Sequence, residues 1–121
     1  MIDKKTLLAI TTLIILFLSG CSSYPDSAEG VAKEICKELK ASNLEGMKIY
    51  MSAEALLQMK ERKEYLEAFF KSPEFAKIKL GFDCNKPTKR EELDHGRLKI
   101  HFGKDIKVKV KQIHGQWKMV I

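Results

Sequence analysis

The sequence predicts an α+β domain, with helices first and an antiparallel sheet after them. Three observations carry that expectation. Apolar residues recur at three- and four-residue steps from residue 28 to residue 71, then at every second residue beyond Pro73. Capping patterns open the first helices, and Ser72-Pro73 marks the change of period, because proline excludes the helical conformation for the residue before it. Gly103-Lys104-Asp105 and His114-Gly115 then punctuate the alternating segments as turns. Runs of helix followed by runs of strand give an α+β plan rather than a parallel sheet.

The chain opens with Lys4 and Lys5, followed by thirteen uncharged residues, Thr6 to Leu18. A spanning helix needs about twenty apolar residues, so this stretch reads as a signal-peptide core behind a basic start. Leu18-Ser19-Gly20-Cys21 resembles the bacterial lipobox: a leucine, two small residues, then cysteine. The resemblance implies that residues 1–20 are a signal peptide that is removed and that Cys21 is the lipid attachment site. It also implies a diacylglyceryl group on the thiol and often a further acyl chain, which together anchor stably where one chain binds only marginally. Ser22 in place of aspartate is similar to the outer-membrane pattern of Gram-negative lipoproteins. The expected location is therefore the cell envelope, on the outer membrane and facing the periplasm. In a Gram-positive cell the same sequence would sit outside the cytoplasmic membrane. Residues 21–27, with Pro25, form a lipidated tether, and residues 28–121 are enough for one small domain.

Within that domain, Asp26-Ser27-Ala28-Glu29 offers a cap and a carboxylate three residues on. Val31, Ala32, Ile35, Cys36 and Leu39 follow on one helical face. Ser42-Asn43-Leu44-Glu45 repeats the pattern for a short helix to about residue 51, and a third helix is expected over residues 53–71. Four strands are expected after it. Ile78, Leu80, Phe82 and Cys84 share one face of the first, and Leu98, Ile100 and Phe102 one face of the second. Ile106, Val108 and Val110 form the third, and Trp117, Met119 and Ile121 the fourth. Residues 85–96 read as an exposed polar connection. Parity fixes the turns, since a one-residue slip exchanges the faces. A two-residue turn at His114-Gly115 pairs Val110 with Met119. A three-residue loop at residues 103–105 places Phe102 opposite Ile106 and Ile100 opposite Val108.

Two passages carry a wider resemblance. Residues 32–47, AKEICKELKASNLEGM, give a helix, a short polar turn and a second helix; residues 113–119, IHGQWKM, give a closing hairpin with Gly-x-Trp-Lys. Together they are similar to small exported lipoproteins with a nuclear-transport-factor-2-like, or cystatin-like, domain of unknown function. The resemblance implies a sheet that curves around the helices, and in some members a small molecule held in the resulting cone. The family has no single activity, so the fold brings no function with it.

The chemistry expected of this chain is not catalytic. Inward positions between Ile78 and Ile121 offer neither carboxylate nor histidine, so an acid–base pair cannot be assembled there. Tyr50 and Tyr65 lie on helices and read as packing residues. His95, His101 and His114 fall in a loop, an outward strand position and a turn, with no Cys/His spacing suited to zinc and no phosphate loop. No cofactor or metal is expected. With Cys21 committed to lipid, Cys36 and Cys84 remain as an even pair in a compartment where disulfides persist. Both point into the helix–sheet interface, as a disulfide or as two buried small hydrophobes.

The outward positions of the expected strands gather Lys77, Lys79, Arg97, Lys99, Lys107, Lys109, Lys111 and Lys118, against Asp83 and Asp105. Such a face is either a solvated surface that discourages edge pairing or an anion-binding surface. The whole chain carries 22 basic and 16 acidic residues, a formal net charge of +6. That excess permits attraction to phosphate-rich surfaces, while nucleic acid is not a partner expected of an exported, tethered chain. Two functions follow. The first is a membrane-anchored interaction module of the cell envelope, meeting an anionic envelope component or a protein. The second is a carrier holding a small apolar or lipid-like ligand between helices and sheet.

Overall fold

The computed structural model describes residues 24–121; Cys21 and the expected signal peptide, residues 1–20, lie outside the described residues. Helix α1 (Ala28–Lys40) starts where the extended backbone of Ser27 lets its hydroxyl accept the Gly30 N–H at 3.0 Å. Glu29 occupies its first turn and Lys37 and Lys40 its last, each at the end the helix dipole favours. The segment before α1 lies so close to its first turn that a Cβ at position 30 would come within 2.9 Å of Pro25 and of Ser27, which accounts for Gly30. Asn43 caps α2 (Leu44–Met47), and a 3-10 turn, Lys48–Tyr50, follows. Ser52 caps α3 (Ala53–Glu61), accepting the Ala55 N–H at 3.1 Å.

The single helix expected over residues 53–71 is two. Arg62, at φ −107° and ψ 16°, leaves the helical region and separates α3 from α4 (Lys63–Phe70). Residues 60–64 are all charged, so the apolar stripe is interrupted there. Met59 joins the main core, whereas Phe69 and Phe70 pack on Phe75 instead.

The first expected strand is also corrected. Residues 77–80 belong to helix α5 (Pro73–Leu80), and Phe82 and Cys84 follow in irregular backbone. Ser72-Pro73 ends one helix and starts the next. The serine hydroxyl accepts the Phe75 N–H at 3.2 Å, and proline at the first helical position gives up an N–H that would have no partner. Leu80, read as inward, is 90% exposed, and Phe75, which the period-two pattern omitted, is 1% exposed. The missing strand lies inside the segment read as a loop: β1 (Lys89–Glu92) pairs antiparallel with β2 (Leu98–Phe102). Its residues Lys-Arg-Glu-Glu form a short, charged edge, the composition that blocks pairing with another sheet.

Strands β2, β3 (Ile106–Ile113) and β4 (Gln116–Met119) complete a four-stranded antiparallel sheet in the order β1-β2-β3-β4. Phe102 faces Ile106, Ile100 faces Val108 and Val110 faces Met119, the registers that parity predicts. The β3–β4 turn places His114 at φ 50° and Gly115 at φ 81°, the left-handed pair a two-residue hairpin requires. The free edge of β4 is covered by the chain between α2 and α3: Met51 bridges Met119, and the Ser52 N–H donates to the Met119 carbonyl at 2.9 Å.

Helix α1 lies across β2, β3 and β4. Val31, Ala32, Ile35 and Cys36 on its buried stripe meet Ile100, Phe102, Val108 and Val110, all at most 4% exposed. Each valine, isoleucine and phenylalanine among them contributes about 1.5–3 kcal/mol on burial. The interior between α1 and the sheet is thus filled by side chains. With α1 on one face, the opposite face of the sheet is left to its polar residues.

Candidate functional site

The outer face of the sheet is built by alternation. Because Leu98, Ile100, Ile106, Val108 and Val110 point into the core, Lys99, His101, Lys107, Lys109 and Lys111 must point away from it. The registers set them in rows across the sheet. Glu91, Lys99 and Lys109 form one row, Lys89, His101 and Lys107 the next, and Lys111 sits opposite Lys118. Like charges directly opposite one another cost some tenths of a kcal/mol per pair. The strands cannot relax to avoid this, because the core on their other side holds the register.

The eight cations expected on this face divide into three groups. Lys77 and Lys79 are not on it, because helix α5 replaces the expected strand; Lys79 instead places its ammonium 5.0 Å from the Phe75 ring centroid. Arg97 and Lys118 are engaged within the chain. The Arg97 Nε donates to the Asp94 carbonyl at 3.0 Å. Lys118 reaches over the edge of β4, donating to the Ile49 carbonyl at 2.9 Å with its ammonium 4.9 Å from the Tyr24 ring centroid. Lys99, Lys107, Lys109 and Lys111 remain, and none of them makes an ion pair or side-chain hydrogen bond among the described residues. The row Arg97, Lys111 and Lys118, densest by sequence, is therefore less available than the block Lys99, Lys107, Lys109 and Lys111.

Sequence reasoning missed Lys89 and Glu91, because β1 carries no apolar alternation to announce it. Glu91 is the carboxylate on this face: its Oε1 lies 3.1 Å from His101 Nε2. That hydrogen bond holds the Glu91 carboxyl below the usual carboxylate range, with Lys89 and Lys99 adding to the effect. Asp83, expected on the face, lies instead in the segment after α5, where its carboxylate accepts the Asn85 N–H at 2.9 Å. On the other face of β1, Arg90 bonds Glu29 of α1, stitching the strand to the first helix.

Cys36 and Cys84 are joined by a disulfide, with Cα atoms 5.6 Å apart and 48 residues of separation. Cys84 approaches α1 from irregular backbone rather than from a strand, yet both residues are buried. The segment before α1 meets the sheet at β4. Tyr24 donates its hydroxyl to the Trp117 carbonyl and packs against Tyr50, ring centroids 5.6 Å apart. Burial pushes both phenols above their ordinary range, helped at Tyr24 by Tyr50 and at Tyr50 by Glu34 and Glu38. Among the described residues, no three His, Cys, Asp or Glu side chains come together as metal ligands, and no helix is long and apolar enough to cross a membrane. Comparison of the chain with family models, curated proteins and solved structures finds no match.

Proposed function

We propose that this chain is a lipid-anchored envelope protein whose domain is a non-catalytic interaction module, laying the outer face of its sheet on an anionic lipid surface. The observation that supports it is the block Lys99, Lys107, Lys109 and Lys111, fixed in register on the sheet face opposite α1, where no helix is packed among the described residues. The attachment point favours the same orientation. Tyr24 is pinned to β4, and Cys21 lies three residues before it, so the lipid joins within about 10 Å of the sheet's edge. A lysine near an anionic surface contributes about 1 kcal/mol. Four acting together would supply on the order of 4 kcal/mol, or roughly a thousandfold in affinity at low salt. Salt screens the attraction over about 8 Å at physiological ionic strength.

Two measurements test this reading. Cys21→Ala should leave an unprocessed or mislocalised precursor; normal cleavage and membrane retention in that variant would remove the anchor. The unlipidated domain should co-sediment with vesicles containing anionic phospholipid, less so as salt rises, and not with neutral vesicles. Replacing Lys99, Lys107, Lys109 and Lys111 by glutamine should abolish that binding. Equal binding to both lipid types, or no loss in the fourfold variant, would return the lysines to a purely solubilising role.

A further inference from the structure

On the helical side, away from the basic face, the packing leaves an apolar groove of about 270 Å³. It runs between α2, the α3–α4 pair and the end of β4, and Met47, Met51, Met59, Leu66 and Met119 supply much of its wall. Methionine is unbranched and polarizable, so a wall of this kind adapts to flexible apolar chains. A neighbouring recess of about 430 Å³ shares Leu44 and Met59 with the groove. Together they reach the size of small-molecule sites, roughly 300–1,000 Å³.

The two recesses differ in charge. Arg62 lines the groove, and Lys48, Lys60 and Lys63 line the recess; Glu45 is the one acidic side chain lining either among the described residues. Glu45 is committed to Lys48 at 2.8 Å, an interaction that also lowers its carboxyl below the usual range. Lys60, Arg62 and Lys63 make no ion pair among the described residues. These three cations fall at the α3–α4 break, where Arg62 leaves the helix, so the interruption of the apolar stripe places positive charge at the groove's mouth. A floor of thioethers with a cationic mouth matches a ligand with one flexible apolar tail and one anionic head.

We propose that this groove binds a single-chain anionic amphiphile, its tail along Met47, Met51, Met59 and Met119 and its carboxylate or phosphate head against Lys60, Arg62 and Lys63. This site is separate from the basic sheet face and does not depend on the membrane reading. The head is drawn by charge-assisted hydrogen bonds, for which arginine's planar fork is the better-shaped partner. The tail is drawn by removal from water.

The test uses the leaderless chain carrying Cys21→Ser, whose core lies within the domain, titrated calorimetrically below micelle-forming concentrations. The ligands are laurate, dodecyl phosphate and dodecyltrimethylammonium, which share a tail and differ in head. The two anions should bind one to one, at least about tenfold more tightly than the cation, the difference expected of one charge-assisted contact. The stronger anion then identifies a carboxylate or a phosphate head. Arg62→Glu with Lys63→Glu should weaken anion binding about tenfold and narrow the preference over the cation. Gln58→Trp and, separately, Leu44→Trp fill the groove from its lining and should each block all three ligands, with circular dichroism confirming that the fold is kept. The Lys99, Lys107, Lys109 and Lys111 to glutamine variant should bind as the parent does. No binding, equal affinity for anion and cation, indifference to both tryptophan variants, or loss only in the sheet-face variant would each overturn the proposal.

Discussion

Reducing the disulfide between Cys36 and Cys84 removes the longest covalent constraint in the domain. The bond closes a loop of 48 residues, from the buried stripe of α1 to the segment after α5. In the chain-entropy model a loop of that length stabilises the fold by about 4 kcal/mol. A domain of this size has in all about 5–15 kcal/mol to lose. The segment it holds has little else to fix it, since Phe82 and Cys84 reach the core from irregular backbone; the Lys40 ammonium donating to the Phe82 carbonyl at 3.0 Å is one further tie. Urea denaturation of the oxidised and reduced protein, followed by far-UV circular dichroism, should therefore differ by about 4 kcal/mol, or on the order of 15–30 °C in a thermal scan. Cys36→Ala with Cys84→Ala should fall within about 1–2 kcal/mol of the reduced protein, the remainder being the small voids left by two sulfur atoms. A reduced protein within 1 kcal/mol of the oxidised one, or two reactive thiols in the unfolded, non-reduced chain, would refute the reasoning.

Phe75→Ala should cost about 3–5 kcal/mol locally, because Phe75 is 1% exposed yet packs with Phe69 and Phe70 at 5.3 and 5.1 Å between ring centroids, outside the main core cluster. Hydrogen exchange should rise over α4 and α5 while amides of α1 and the sheet stay protected; equal loss in the sheet would show that the aromatic cluster is not a separate unit. In alkali, Tyr24 and Tyr50 should ionise later in the folded than in the unfolded chain, because burial raises both. The stability they contribute is full below about pH 10 and is lost as pH rises through the raised folded values. Phenolate absorbance should show two late-titrating tyrosines, and Tyr24→Phe should remove one. In acid the sign reverses at Glu91: its lowered carboxyl keeps its bond to His101 until pH falls below the usual carboxylate range, so an NMR titration should place its midpoint lower than in Glu91 of the unfolded chain.

The elements legible in the sequence are those whose pattern has one interpretation. Val31, Ala32, Ile35 and Cys36 fit a helix and no strand, and parity alone set the registers of β2, β3 and β4. The errors fall where the signals overlap. Ile78 and Leu80 alternate with lysines as a strand would, but Phe75 and Ile78 are also a helical step apart, and Ser72-Pro73 reads as a stop or a start with equal chemistry. Tertiary packing decides, by burying Phe75 against α4. Strand β1 was illegible for a different reason: an edge strand with polar residues on both faces has no periodicity, and its place comes from Arg90 with Glu29 and Glu91 with His101. The basic face was legible as a cluster but not in membership. The engagement of Arg97 and Lys118 depends on carbonyls at Asp94 and Ile49 that no sequence pattern marks. The groove depends on four methionines brought together from α2, the bridge at Met51, α3 and β4, a juxtaposition that only the fold creates.

Lysine footprinting on vesicles tests the membrane-facing orientation most directly. The folded, unlipidated domain is acetylated briefly, free and bound to anionic vesicles, and the modification at each lysine is read by mass spectrometry. The account predicts that Lys99, Lys107, Lys109 and Lys111 are protected together on binding, while Lys60 and Lys63 on the helical side react as they do in the free protein. Protection of Lys60 and Lys63 with the sheet-face lysines unchanged would contradict it.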